Sequence, residues 1–436
     1  MTPSPAAPLR PPGPVVEIAR TLQTAGFEAW CVGGAVRDAL LGLAHLDWDL
    51  ATSATPPQVR RLFKRTVPVG IEFGTIGVLD REGRMHEVTT FRHDVKTDGR
   101  HAEVQFGASL DEDLARRDFT INAIAFDPIA RRLHDPFDGR ADLALGVVRA
   151  VGDAEARMRE DRLRALRAIR FAARFDFAID PPTWNAIVAS APHLTRLSPE
   201  RVRQELDKTM EQVRRPSMAL RRWRDSGAFA SLVPSLAQVP DDVLHAVDLL
   251  PMPGPATRPL RKALRFAALF SSGGGDDAAR ALRALRASNH DTAIISTLVE
   301  RWSRHGAEVG AVLASGMLPS AEVLRRLASS VGRLRVGALV RLAAARWGAG
   351  ATAVDPSLVR RLHRTLHEIA FRDPLEVADL AIDGDDLRQA GVSAGPALGR
   401  LLQRLLELVL ADPTINHRDV LLAHARRMLN EDGAPT

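Results

Sequence analysis

The sequence predicts an α+β fold: a mixed head followed by a long all-α region. Three observations support this. Over about the first 150 residues, short apolar runs bounded by Gly, Pro and Asp alternate with helical stretches. From Asp153 onward the apolar residues recur at helical spacing. That second part shows no strand signal and no fixed repeat period.

Residues 1–14 are Pro-rich and read as a disordered extension. Val15–Gly26 is predicted helical, with Val16, Ile18, Ala19 and Leu22 on one side. Glu28–Val32 reads as a strand, followed by Gly33-Gly34 and a short helix, Ala35–Leu41. A second strand runs over Asp47–Ala51, and Pro56-Pro57 open a helix that ends near Lys64. Ile76–Leu79 and His86–Phe91 read as strands joined by the turn Asp80–Arg84. Asp118–Asp127 and Leu133–Asp135 add strand and loop. Helices are then expected at Glu160–Phe175, Pro182–Ala189, Pro199–Val213 and Met218–Ser226. Later helices are broken at Pro251–Pro259, Ser271–Asp277 and Gly348–Pro356.

Composition narrows the function classes. The chain has 436 residues, 45% of them apolar and 26% charged, which excludes wholesale disorder, collagen and coiled-coil rods. No window approaches a membrane span. Cys31 is the only cysteine, so neither a disulfide framework nor a cysteine-built zinc site is possible. The start lacks a secretory pattern, and a cytoplasmic location is expected. Only four of the 59 basic residues are lysine, and tyrosine is absent, as codon bias in a GC-rich genome would produce. The placement of the arginines, and not their number, is therefore informative. The net charge of +6 is a mild hint of an anionic partner.

Three patterns carry chemistry. The first is Gly33-Gly34-Ala35-Val36-Arg37-Asp38, then Asp47-Trp48-Asp49. Paired glycines after a strand let backbone N–H groups approach a ligand, and the helix that follows suits a triphosphate, with Arg37 in its first turn. Asp47 and Asp49, two apart on a strand, face one side and would repel unless a cation such as Mg²⁺ held them. Alone, the glycines are a tight turn and the acids a solvated strand edge. Together, in this order, they are much rarer. The second pattern is Arg116-Arg117-Asp118 before an apolar stretch. It places a guanidinium on a ribose or phosphate oxygen with Asp118 orienting it, or else forms a surface ion-pair cluster.

The third pattern is Asp161, Arg164, Arg167 and Arg170, beside an apolar row of Leu163, Leu166 and Ile169. From Arg157 to Arg174 there are seven arginines and two acids, which suits either a nearby polyanion or a solvated basic face. Such a row offers an account of base choice. Cytosine and adenine each present an amino group beside a ring acceptor; guanine and uracil present the reverse. A carboxylate with a guanidinium, Asp161 with Arg164, would accept the first pair and leave polar groups unpaired with the second.

The glycine turn with its Asp-x-Asp resembles the polymerase-β nucleotidyltransferase superfamily, in which a third carboxylate comes from a later strand. Glu87 is the candidate here, with an edge salt bridge as the other reading. Val32–Asp49, Glu87–Arg92, Leu114–Ala123, Asp135–Arg140 and Arg159–Phe171 together resemble the class II tRNA nucleotidyltransferases, the CCA-adding enzymes, kin of bacterial poly(A) polymerases. Ser198–Glu205 resembles that family's next motif, a helix turn bracing the nucleotide-reading helix.

The resemblance implies a polymerase-β-type head at 15–150, a neck at 151–215, a body at 216–345 and a tail at 346–436. It implies Mg²⁺ on Asp47 and Asp49, with Glu87 as a third catalytic acid. Gly33, Gly34, Arg37 and Arg117 would contact the triphosphate or sugar, and Asp161, Arg164, Arg167 and Arg170 the base. The substrates would be CTP, ATP and the acceptor and T arms of tRNA; no stable protein partner is implied. Val69–Thr75 lacks the Arg pair of poly(A) polymerases. Arg92–Gly107 is expected to supply the flexible loop of which CC-only enzymes lack part. Addition of C, C and A is therefore the expectation. Alternatives are an A-only or CC-only enzyme, a poly(A) polymerase, or a non-catalytic RNA-binding module.

Overall fold

The structure, a computed structural model, describes residues 9–44, 47–97, 102–252, 259–350, 354–389, 391–392 and 395–431. They divide into two compact units, 1–237 and 238–436. Among the described residues no helix is long and apolar enough to cross a membrane.

In the first unit α1 (Gly13–Thr24) leads to β1 (Ala29–Val32), α2 (Gly34–Leu40), β2 (Asp49–Thr52) and α3 (Pro56–Leu62). Then come β3 (Thr66–Gly70), β4 (Thr75–Leu79), β5 (Met85–Thr90), β6 (Arg92–Thr97), β7 (Ala102–Phe106) and α4 (Leu110–Ala115). β8 (Ala125–Asp127), β9 (Arg132–His134), α5 (Gly139–Leu145) and β10 (Val147–Val148) complete the mixed part. Helices follow: α6 (Ala154–Glu160), α7 (Leu163–Phe175), α8 (Pro181–Ser190), α9 (Pro199–Gln212), α10 (Ser217–Asp225) and α11 (Ala228–Leu232), with β11 (Ala178–Ile179) between α7 and α8.

Seven strands form one sheet in the order β3-β4-β5-β2-β1-β8-β9. β2 and β5 run parallel, with Leu50 opposite Val88, so Asp49 and Glu87 each precede a paired residue on neighbouring strands. Trp30, Val32, Ala51, Phe91, Leu114 and Ala125 build a core against this sheet. Burying each large side chain contributes about 1.5–3 kcal/mol. α7 buries Leu163, Leu166 and Ile169 along the predicted apolar row.

Several expectations need correction. Leu9 is buried and α1 begins at Gly13, both within the stretch expected to be disordered; residues 1–8 lie outside the described residues. β3 went unforeseen because Pro68 interrupts it, and Pro is tolerated there on an edge strand. The stretch expected to be a loop, Arg92–Gly107, contains the hairpin β6–β7, with 98–101 outside the described residues. A strand also occurs beyond Asp153: β11 pairs in parallel with β10 over two residues, too few for periodicity to register. The helix expected over Glu160–Phe175 breaks at Asp161, whose backbone is extended (φ −144°, ψ 105°).

Among its described residues the second unit is all helical: α12 (Asp241–Leu249), α13 (Pro259–Leu269), α14 (Gly275–Ala284), α15 (Asn289–Ala314), α16 (Ala321–Val331), α17 (Val336–Ala349), α18 (Pro356–Arg372), α19 (Gly384–Gln389), α20 (Pro396–Ala411) and α21 (Arg418–Glu431). Trp347 on α17 donates to the Gly306 carbonyl of α15 at 3.0 Å. Any Cβ at Gly310 would come within 2.6 Å of that indole nitrogen, so the glycine makes the close packing possible. Arg325 donates to the carbonyls of Leu410 and Ala411 at 2.6 and 2.9 Å, satisfying acceptors at the end of α20.

Candidate active site

One open cleft in the first unit, with about 720 Å³ of space, gathers the predicted residues. Gly33, Gly34, Arg37, Asp47, Asp49, Glu87, Arg117, Asp161, Arg164, Arg167 and Arg170 all line it. That volume falls within the usual range for a small-molecule site, roughly 300–1,000 Å³.

The acids come from two adjacent strands of the sheet. Asp49 opens β2, and Asp47 stands just before that strand and not within it. Trp48 between them is buried, so the alternation keeps both carboxylates on the opposite side. Glu87 reaches the cleft from β5. Burial, then Glu87, then Asp47 push the Asp49 carboxyl up to about 7, and of the charges acting on it only Arg117 opposes the shift. Among the described residues no three His, Cys, Asp or Glu side chains stand close enough to form a ready metal cage. Even so, these crowded oxygen donors are the chemistry a hard divalent cation relieves.

Gly33 has φ +74°, a conformation that favours glycine. It also lies against Arg117, whose Nη1 would stand 3.0 Å from any Cβ built there. Arg117 is held by Asp113 (Nη2 to Oδ2, 3.1 Å), which also takes Arg116 at 2.7 Å. Burial would raise the Asp113 pKa, but Arg117 and Arg116 outweigh it and keep the carboxyl low. α4 is set by a capping box between Ser109 and Glu112. Asp113 thus orients the arginine pair, the task expected of Asp118.

Asp118 instead faces α7. Its Oδ2 accepts from Arg167 Nε at 2.8 Å, and its Oδ1 from Asn122 at 2.9 Å. Arg37 is 3% exposed, and all three guanidinium nitrogens are engaged. Nε and Nη2 donate to Asp38 (2.7 and 2.5 Å) and Nη1 to Asn122 (2.5 Å). Its cation lies over Phe171 and Phe175, 4.9 and 4.8 Å from the ring centroids. In this conformation Arg37 forms part of the cleft wall.

Asp161 stands just ahead of α7: its Oδ1 accepts from Leu163 N at 3.0 Å, while Oδ2 takes Arg201 at 2.8 Å. Arg164 donates to Glu160 Oε2 at 2.7 Å and to the Arg116 carbonyl at 2.8 Å. Arg170 is paired with Glu205. Each predicted base-reading cation therefore has an acidic partner that holds it in place. Sequence reasoning missed Asn122, Arg174 and Lys208 as cleft residues. The turn at Ser198–Glu205 was the one signal that pointed to Arg201 and Glu205.

Two family models match the chain: a poly A polymerase head domain over residues 29–149, and a probable RNA and SrmB-binding site of polymerase A over 176–239. The CCA-adding enzyme of Levilactobacillus brevis is 34% identical over 418 residues, 93% of this chain and 95% of its own. That of Geobacillus kaustophilus is 35% identical over 414 residues, 93% and 94% of the two chains. The crystal structure of the Bacillus stearothermophilus CCA-adding enzyme in complex with CTP aligns with a TM-score of 0.73 at 33% identity, covering 97% of this chain and 98% of that one. With that identity sustained over nearly its full length, the chain belongs to the CCA-adding enzyme family.

Proposed function

We propose that this chain adds C, C and A to the 3′ end of tRNA, using CTP and ATP and releasing pyrophosphate. One observation carries the reading: acids on β2 and β5 and the ordered ladder of α7 line the same nucleotide-sized cleft. Family-level nucleotidyl transfer implies a divalent metal, and Mg²⁺ is the cation we assign. Asp47 and Asp49 would hold it, with Glu87 beside them. When bound, that cation lowers the pKa of a 3′-hydroxyl and neutralises charge on the leaving pyrophosphate.

The remaining steps belong to the protein's own groups. Gly33 and Gly34 offer backbone N–H groups to the triphosphate. Arg117, whose guanidinium lies against Gly33, adds a cation there. Asp161 accepts from the amino group of cytosine or adenine while Arg164 donates to the ring nitrogen. Arg167 and Arg170, held by Asp118 and Glu205, complete the pocket. The site needs no nucleic-acid template, because prepaid ion pairs keep the donors and acceptors aimed. Helices of the body and tail, 216–345 and 346–436, would grip the acceptor and T arms through phosphates, in the cytoplasm.

The test uses three tRNAs, ending before C, after one C and after CC, each incubated with every labelled nucleoside triphosphate in turn. Stepwise C, C, A incorporation supports the reading. Long A tails on an unstructured RNA would replace it with a poly(A) polymerase.

A further inference from the structure

The cleft has a second end that the nucleotide site leaves unused. Strand order places Gly33-Gly34, after β1, on one side of Asp49 and Glu87, and β4 on the other. There Thr75 and Thr89 are cross-strand partners with hydroxyls 3.0 Å apart, and both line the cleft. Thr89 and Glu87, two apart on β5, face the same side.

Beside this end, two phenylalanines are partly exposed: Phe73, 44%, and Phe106, 36%. They meet at Gly74. A Cβ there would come within 2.6 Å of the Phe106 ring, and the backbone has φ +82°. Glycine thus makes the turn and clears the space in which the second ring lies. Arg92, itself in the cleft wall, donates Nη1 to the Phe73 carbonyl and sits 5.9 Å over the Phe73 ring. Exposed aromatic surface is unfavourable in water, yet both rings flank Gly74, the residue before the cleft-lining Thr75.

Resting on the transfer reading above, we infer that Phe73 and Phe106 form a stacking platform for the 3′-terminal bases of the RNA acceptor. In-line transfer needs the α-phosphate on one side of the carboxylates and the attacking hydroxyl on the other. The acceptor's last base before the first addition belongs to the tRNA and afterwards is C, so its site must tolerate more than one base. Stacking on an aromatic face does so, because every base presents a π surface. Arg92 supplies the cation for the accompanying phosphate.

The experiment uses the full chain and a tRNA lacking CCA, with 2-aminopurine as its last nucleotide. Binding to the wild type should quench the emission, and Phe73→Ala and Phe106→Ala should lose much of the quench. Both variants should raise the acceptor KM by roughly tenfold or more, leaving the CTP KM and the kcat at saturating acceptor near wild type. Phe73→Trp and Phe106→Trp should retain the quench and the low KM. Wild-type quench and acceptor KM in both alanine variants, at unchanged Tm, would overturn the platform. So would a concentration-dependent dimer that the double alanine variant abolishes, since the patch would then be an interface between copies. A wild type that quenches but incorporates no nucleotide would support the platform and sink the transfer reading.

Discussion

Arg170 Nε donates to Glu205 Oε2 at 2.6 Å, and the two side chains are only 4% and 2% exposed. This pair joins α7 to α9 behind the cleft. Burial lowers the Arg170 pKa, and Glu205 opposes that shift. A charge so placed depends on its partner. Glu205→Ala should therefore destabilise the protein by about 3–5 kcal/mol, the cost of stranding a buried cation. Paired replacement, Arg170→Met with Glu205→Leu, should recover most of that stability. Urea unfolding of the three variants checks both outcomes.

Asp49 sits in a crowd of like charge, so its neutral isostere should relieve strain while removing function. Asp49→Asn should raise stability by on the order of 1 kcal/mol in metal-free buffer. It should also lower incorporation by on the order of 10³, with tRNA binding nearly intact. Mg²⁺ should raise the wild-type Tm and leave that of Asp49→Asn unmoved. A wild-type-like Mg²⁺ response in the variant would remove Asp49 from the metal site.

Asp161 is the side chain on which base choice depends in this reading. Asp161→Ala removes the acceptor for the amino group and frees Arg201 from its 2.8 Å partner. Discrimination of CTP against UTP should fall by the equivalent of about 1–3 kcal/mol, with less change in tRNA affinity. The ratio of kcat/KM values for the two nucleotides measures it. Wild-type fidelity in this variant would end the idea that protein side chains serve as the template.

Asp118 predicts a pH dependence. Burial alone would raise its pKa, but Arg167 and the Asn122 hydrogen bond hold it below the ordinary carboxylate value. A depressed acid contributes stability that is complete above its unfolded pKa, about 3.9. That contribution is lost as pH falls through the lower folded value. Asp118→Asn should thus cost stability at neutral pH and flatten the acid limb of the stability curve below about pH 4. An acid limb of unchanged slope would show that Asp118 is not held low.

What the sequence disclosed and what it hid divide along one physical line. Gly33-Gly34, the spaced acids and the α7 arginines are local patterns, and strand alternation or helical spacing carries them directly to a shared cleft. The partners of those residues are not local. Asp118 meets Arg167 from 49 positions away, and Asp161 meets Arg201 from 40. Asp161 also left the helix expected of it because its carboxylate captured the Leu163 N–H. Short aspartate side chains compete with helical hydrogen bonds in this way, and periodicity does not register it. The two-residue β10–β11 pair is similarly set by tertiary packing.

Gly33 offers a test that separates backbone strain from the geometry of the site. Its φ of +74° with ψ −133° is a conformation nearly reserved for glycine and costs an L-residue roughly 1–3 kcal/mol, so Gly33→Ala should lower stability by about that amount. The new methyl would also stand 3.0 Å from Arg117 Nη1, close enough to make the guanidinium give way. Gly33→Ala should therefore raise the KM for CTP and ATP together, because triphosphate contact does not depend on the base. Discrimination of CTP against UTP should stay intact, since Asp161 and Arg164 are untouched. Steady-state kinetics with each nucleotide, beside a denaturation curve, resolves the two effects. Loss of stability with an unchanged nucleotide KM would mean that Arg117 does not bear on the triphosphate. Loss of discrimination would mean that the glycine turn and the base-reading ladder are coupled.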